Sequence, residues 1–217
     1  MKCHICDRPV WSFIDEKTDI TYYSCNECEY IFKAPKNYQD LSDQKIRYDL
    51  HENDENDTGY QAYFQRFLDF VLPQILEVKS ALDFGCGRST LLAQMLNEHT
   101  IACDAYDPIY HPDTLQKGKK YDLVVSTEVF EHLHQPKEMF ESLTEKLEEG
   151  GYLALQTQFH PKDTEAFKKW YYHQDPTHIV FFTAKTFKIL ATYFDCDYIG
   201  DNGKNMVLLR KRIKESV

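Results

Sequence analysis

Apolar positions along this chain change period several times, and each change marks an element. In 60–77, Tyr63, Phe64, Phe67, Leu68, Val71 and Leu72 recur at three-to-four spacing, which predicts a helix that Pro73 interrupts or ends. From residue 80 on, short apolar runs alternate with amphipathic stretches. Residues 81–84 predict a strand, 89–96 a helix, 101–106 a second strand and 121–126 a third. A helix is expected within 130–147, a break at Gly150-Gly151, and a strand over 152–157. A long aromatic insertion follows, then a helix over 184–193 and a final strand near 205–209. Strands alternating with helices across short turns predict an α/β fold built on a parallel, doubly wound sheet. Residues 36–59 keep no apolar period and end in an acidic polar run, so a linker or lid is expected there.

The first 35 residues have a different character. Cys3-x-x-Cys6 and Cys25-x-x-Cys28 are separated by residues 7–24, the spacing of a four-cysteine zinc ribbon. Two short strands, near 10–14 and 20–23, fit between them. Four thiolates close a tetrahedral Zn²⁺ shell and leave no open position, so the expected role of the ion is structural. Cys86, Cys103 and Cys196 lie scattered in apolar segments and read as small core groups. The expected organisation is thus 1–35 zinc ribbon, 36–59 linker or lid, and 60–217 a catalytic α/β domain.

Composition narrows the class. The 217 residues are 42% hydrophobic and 14% aromatic, enough for one full core and too aromatic for a disordered chain. No apolar run approaches the length of a membrane span. Seven cysteines, an odd number without a secretory h-region after Met1, point to a reducing cytoplasm. The net charge of −10 argues against broad nucleic-acid binding, although a local basic patch is compatible with it. Nothing in the pattern specifies an oligomeric state.

The candidate chemistry begins at Asp83-Phe84-Gly85-Cys86-Gly87-Arg88-Ser89, where a strand enters a turn with two glycines and a helix leaves it. Glycine lets backbone approach a ligand closely, and such sheets bind ligands at the carboxyl ends of their strands. Asp107 ends the next strand, where a carboxylate can accept ribose hydroxyls. Ser89 and Thr90 stand where a dinucleotide fingerprint has its third glycine, which favours an adenosyl ligand over a pyrophosphate.

The runs Ala81-Leu82-Asp83-Phe84-Gly85-Cys86-Gly87, Asp107-Pro108 and Tyr121-Asp122-Leu123-Val124-Val125-Ser126-Thr127-Glu128-Val129-Phe130-Glu131-His132-Leu133 resemble class I S-adenosylmethionine-dependent methyltransferases over about 60–210. The resemblance implies a Rossmann-like sheet with helices on both faces and an antiparallel final strand. It implies that Asp83, Gly85 and Gly87, with Cys86 between them, hold the methionine part of the cofactor. Asp107, followed by Pro108, would hold the ribose, while Ser126, Thr127 and Glu128 flank the sulfonium. Only residues 108–120 separate Asp107 from Tyr121, so the helix and strand that the family places there are shortened or lost. Tyr106, Pro108, Ile109 and Tyr110 are then the candidates to pack on adenine.

Glu128-x-x-Glu131-His132 is expected on one helical face just beyond a strand end, with His178 as a further ligand from the insertion. Carboxylates with imidazole suit a second divalent cation, Mg²⁺ or Mn²⁺, or an acid–base pair. The pattern is similar to two metal-assisted branches of the superfamily, small-RNA terminal 2′-O-methyltransferases and ubiquinone-pathway O-methyltransferases acting on catechols. The cysteine module is also similar to that of certain antibiotic-sugar C-methyltransferases. The expected function is methyl transfer to a small-molecule acceptor, through a hydroxyl, with His132 as base or ligand and Glu131 orienting it. The alternatives are an RNA 2′-O-methyltransferase and a noncatalytic binding module. The aromatics Phe167, Trp170, Tyr171, Tyr172, Phe181 and Phe182 are read either as core or as acceptor pocket, and His160 and His173 as lesser candidates.

Overall fold

The computed structural model describes residues 1–38, 57–115 and 117–214. Most of the expected linker, 39–56, lies outside the described residues. Its last part, from Thr58, already belongs to the first α-helix.

Among the described residues, ten strands form two sheets. β1 (Trp11–Asp15), β2 (Ile20–Ser24) and β3 (Ile31–Lys33) pair in antiparallel order, and β8 (Val180–Phe181) joins the edge of β3. The larger sheet has the order β5-β4-β6-β7-β10-β9, from β4 (Ser80–Phe84), β5 (Ala102–Tyr106), β6 (Tyr121–Thr127), β7 (Leu147–Gln156), β9 (Cys196–Asp201) and β10 (Met206–Lys211). β5, β4, β6 and β7 are parallel, and β10 runs antiparallel to β7 and β9, so the sheet is mixed, with the expected reversed last strand. Among the described residues no helix or strand stands between Asp107 and Tyr121, and β5 is therefore an edge.

Residue alternation decides which face each side chain takes. Ala81, Leu123, Val125, Ala154 and Leu208 pack under α1 (Thr58–Val71) and α2 (Leu91–Glu98). Their neighbours Leu82, Val124, Leu153, Leu155, Val207 and Leu209 face α3 (Pro136–Glu145) and α4 (Ala184–Tyr193). On this second face the core runs on through Phe130, Phe182 and Phe187 into Cys3, Ile5, Cys25, Cys28, Tyr30 and Phe32. The cysteine segment thus shares one core with a face of the large sheet and one sheet with the insertion.

Local chemistry moved several boundaries. α1 stops at Val71 because Pro73 has no N–H to continue it. Gly150-Gly151 bends rather than ends its strand: Gly150 adopts φ +78°, and the β6–β7 register slips between Tyr121↔Leu147 and Leu123↔Tyr152. β9 carries no clear alternation in the sequence: Cys196 is its one buried position, and Ile199 is exposed. No helix among the described residues is long and apolar enough to cross a membrane.

Candidate active site

The carboxyl ends of β4, β5, β6 and β7 meet at one edge of the sheet. The glycine turn is bonded to the end of β5, with Gly85 N–H and Cys86 N–H both donating to Tyr106 O, at 2.8 and 3.1 Å. Gly85 sits at φ +79°, and a Cβ there would lie 2.4 Å from Val129 Cγ2. Asp107 accepts the N–H groups of Gly87 (3.1 Å), Ile109 (2.8 Å) and Tyr110 (3.0 Å), tying the glycine turn to the 108–110 turn. Asp83 is 2% exposed, and burial, reinforced by Asp107, pushes its carboxyl up to about 7. Of the adenine candidates, Tyr106 leans on Phe84, Tyr110 lies under the Arg88 guanidinium at 5.1 Å, and Ile109 is exposed. Pro108 sits in the exposed turn between them.

The Asp83 shift sets a pH dependence. The folded protein binds this proton more tightly than the unfolded chain does, so the group's contribution to stability is full below about pH 4. It is lost as pH rises towards 7. Asp83→Asn removes that dependence. Urea unfolding across this window is expected to show wild type losing stability relative to the variant, by on the order of 4 kcal/mol at pH 7 and above. A difference independent of pH would contradict the assignment.

Glu128, Glu131 and His132 do not share a helical face. Glu128 leaves β6 at φ +52°, Phe130–His132 form a 3₁₀ turn, and the helix proper waits for Pro136. Proline at a first helical position both starts α3 and disfavours helical geometry just before it. The turn nevertheless gathers the expected groups. Glu131, His132 and His178 present ligand atoms all within 4.8 Å of one another. His132 Nδ1–H donates to Thr177 O at 3.0 Å, and His178 Nδ1–H donates to Tyr172 O at 2.8 Å. A carbonyl can only accept, so each neutral ring carries its proton on Nδ1 and its lone pair on Nε2. Burial lowers the pKa of both rings, that of His178 to about 3 with help from His132, and keeps them neutral.

Glu128 stands beside this trio and is joined to it by Tyr172. The Tyr172 hydroxyl lies 2.6 Å from Glu131 Oε1 and 2.9 Å from Glu128 Oε2, and the Tyr63 hydroxyl donates to Glu128 Oε1 at 3.0 Å. One hydroxyl proton cannot serve two carboxylates. Burial pushes both carboxyls up, and the neighbouring Glu131 charge adds to the effect on Glu128, which reaches about 8. Among the described residues, Ser126 Oγ, both amide atoms of Gln156 and Glu131 Oε2 are buried without a hydrogen-bond partner. Such orphaned groups at strand ends are what a bound ligand would satisfy. Thr127, closing β6, is half-buried.

Tyr171, Tyr172, Gln174, Asp175 and His178 line a cavity of about 300 Å³. This divides the aromatic insertion. Phe167, Phe181 and Phe182 are core, whereas Tyr172 and the 67%-exposed Tyr171 face the cavity. Gln156 and Lys33 carry no sequence signal, Tyr63 reads only as part of a helix face and Tyr172 as core or acceptor pocket; all four reach the site through tertiary contacts. His160 and His173 are structural: His160 contacts Glu29 O and Pro161 O, and His173 pairs with buried Asp15 at 3.2 Å.

At the other end of the shared core, the two cysteine turns have the same geometry. Cys3 N–H donates to Arg8 O and Cys25 N–H to Tyr30 O, while Asp7 and Glu29 both adopt φ near +60°. The sulfurs of Cys3 and Cys28, Cys6 and Cys25, and Cys6 and Cys28 lie 3.4, 3.5 and 3.6 Å apart. These distances are too long for a disulfide and close to the ~3.8 Å edge of a tetrahedron with ~2.3 Å zinc–sulfur bonds. A shared hydrogen bond draws the Cys3 thiol down to about 5 and pushes Cys28 up, and burial pushes Cys6 up to about 11. Four crowded thiols that cannot all ionise alone are a donor set suited to a divalent cation; the group could hold zinc.

A family model described as a methyltransferase domain matches residues 57–199. Among solved structures, an O-methyltransferase family protein from Burkholderia thailandensis aligns with TM-score 0.53 and 14% identity, over 79% of this chain. The alignment covers 64% of that protein's length. The N-methyltransferase NodS from Bradyrhizobium japonicum WM9, solved with S-adenosyl-L-homocysteine, aligns with TM-score 0.51 and 15% identity, over 79% of this chain and 99% of its own. Likeness at these identities speaks for the fold alone. No curated protein matches the sequence.

Proposed function

This chain belongs to the family of methyltransferase domains, and we propose that it methylates a hydroxyl of a small-molecule acceptor, using S-adenosylmethionine and a divalent cation, with a structural zinc at Cys3, Cys6, Cys25 and Cys28. The observation that carries the acceptor chemistry is the convergence of two imidazole lone pairs and a carboxylate beside a cavity of about 300 Å³, room for a single-ring acceptor.

S-adenosylmethionine supplies a methyl group on a cationic sulfonium. Asp83 and the turn Gly85-Cys86-Gly87 would hold its methionine part, and Asp107 its ribose. Backbone N–H groups already take three of about four acceptor positions on the Asp107 carboxylate. One ribose hydroxyl therefore fits without displacing a backbone donor. The buried Ser126 hydroxyl and Gln156 amide would be satisfied on the sulfonium side, where Thr127 and Glu128 close the strand end.

Held by Glu131, His132 and His178, a divalent cation supplies a lowered pKa for an acceptor hydroxyl. Two imidazoles beside one carboxylate favour Mn²⁺ over Mg²⁺, the harder ion. Glu131 would ligate the cation as a carboxylate, giving up any proton it carries when the cation binds, with Glu128 beside it. Tyr63 and Tyr172 hold both carboxylates in place. With the hydroxyl fixed in line with the sulfonium, what remains of the task is positioning and exclusion of water.

Calorimetry with S-adenosylhomocysteine tests the cofactor reading: absence of binding to the pure protein defeats it. Mn²⁺ titration tests the rest. His178→Ala is expected to weaken Mn²⁺ binding by at least tenfold, about 1.4 kcal/mol, while S-adenosylhomocysteine affinity holds. Turnover on a panel of phenolic, catecholic and sugar hydroxyls, with structured and single-stranded RNA as further arms, then identifies the acceptor class.

A further inference from the structure

The turn that delivers His178 is gripped at both ends by one residue of the cysteine segment. Lys33, on β3, is 1% exposed. Its ammonium donates to Asp175 O at 3.1 Å and Pro176 O at 3.4 Å, and its backbone N–H donates to Ile179 O at 2.8 Å. Between these grips each member of the trio is tied down. Thr177 O takes His132 Nδ1–H at 3.0 Å, and Ile179 N–H donates to Glu131 O at 2.8 Å. His178 lies within the turn itself, its N–H on Asp175 O and its Nδ1–H on Tyr172 O. Among the described residues no carboxylate forms an ion pair with Lys33. A buried ammonium held by carbonyls, with the Asp175 carboxylate attracting it without an ion pair, costs stability that an apolar side chain of the same length would not. Its partners here are the carbonyls that shape the site.

We propose that Lys33 is a positioning residue of the active site, fixing the 175–179 turn so that Glu131, His132 and His178 converge on one point. The inference rests on the divalent-cation reading of that trio. It makes the cysteine segment a working part of the acceptor side rather than an appendage, because β3 carries Lys33 and pairs with β8 just beyond the turn.

Mn²⁺ alone, titrated into the full-length protein and followed by the electron paramagnetic resonance signal of the free ion, is the probe. Lys33→Met is expected to weaken Mn²⁺ binding by about 10–100-fold, the effect of losing the groups that orient metal ligands. S-adenosylhomocysteine binding should be unchanged. Lys33→Gln, which keeps an N–H donor towards the carbonyls, should recover part of the loss, and it carries the same comparison if Lys33→Met does not fold. Nitrogen-15 spectra of the imidazoles without metal give a second reading. Wild type should show His132 and His178 protonated on Nδ1, and Lys33→Met should lose that pattern. Unchanged Mn²⁺ affinity and unchanged imidazole spectra in the variants overturn the proposal, as does a parallel loss of S-adenosylhomocysteine binding, which would mark general damage. If wild type takes up no Mn²⁺, the cation reading fails, and the imidazole spectra alone decide the role of Lys33.

Discussion

Cys28→Ser is expected to release zinc and unfasten the cysteine segment from the insertion. Cys28 is fully buried, its sulfur lies 3.4 Å from Cys3 and 3.6 Å from Cys6, and its carbonyl accepts the Thr186 hydroxyl at 2.9 Å. A structural zinc of this kind contributes on the order of 10 kcal/mol to folding. Three short strands cannot replace that by burial alone. The loss should spread, because Tyr30, Phe32, Phe182 and Phe187 belong to the same core as the cysteines, and Glu29 accepts the Thr183 hydroxyl at 3.0 Å. Metal analysis should find about one equivalent of zinc in wild type and far less in Cys28→Ser. Limited proteolysis should open within 1–38, and the melting temperature should fall steeply. Stoichiometric zinc in the variant, with an unchanged melt, would refute the four-thiolate site. Strong chelation of wild type should reproduce the variant.

How much of this was legible in the sequence depends on the range of the interaction concerned. The glycine turn could be read because its chemistry is local: Asp83, Gly85 and Gly87 lie within five residues and owe their placement to one strand-turn-helix connection. The cysteine pairs were legible for the same reason. The helix expected through Glu131 and His132 is absent, because Pro136 sets the helix start and Glu128 takes a left-handed conformation. Lys33 had no local signal at all. It is one lysine on a short strand, and its meaning comes from carbonyls more than a hundred residues away. Tyr63 reads as one position of a helix face and Tyr172 as core or acceptor pocket; only the fold turns their hydroxyls onto Glu128. Patterns of period and spacing report what one element does, whereas the proposed acceptor side is assembled from α1, β3, the end of β6 and the insertion.

The glycine turn gives the sharpest separation between a structural and a ligand-binding role, because its two glycines differ. Both have positive φ, +79° at Gly85 and +66° at Gly87, so alanine strains the backbone at either position by about 1 kcal/mol. At Gly85 the new Cβ also meets Val129 Cγ2 at 2.4 Å, whereas at Gly87 nothing lies within 4 Å. Gly85→Ala must therefore push Val129, and with it the start of the Phe130–His132 turn. It is expected to lower stability by about 2–3 kcal/mol and to weaken S-adenosylhomocysteine binding by about a hundredfold. Adding Val129→Ala should return part of the stability by removing the clash, a coupling that a double-mutant cycle measures directly. Gly87→Ala should lose only the backbone strain of about 1 kcal/mol in stability yet show a marked loss of S-adenosylhomocysteine affinity, since the open space over Gly87 is where the methionine backbone of the cofactor would run. Equal affinity for Gly87→Ala and wild type would move the cofactor off this turn, even if Gly85→Ala unfolds as expected.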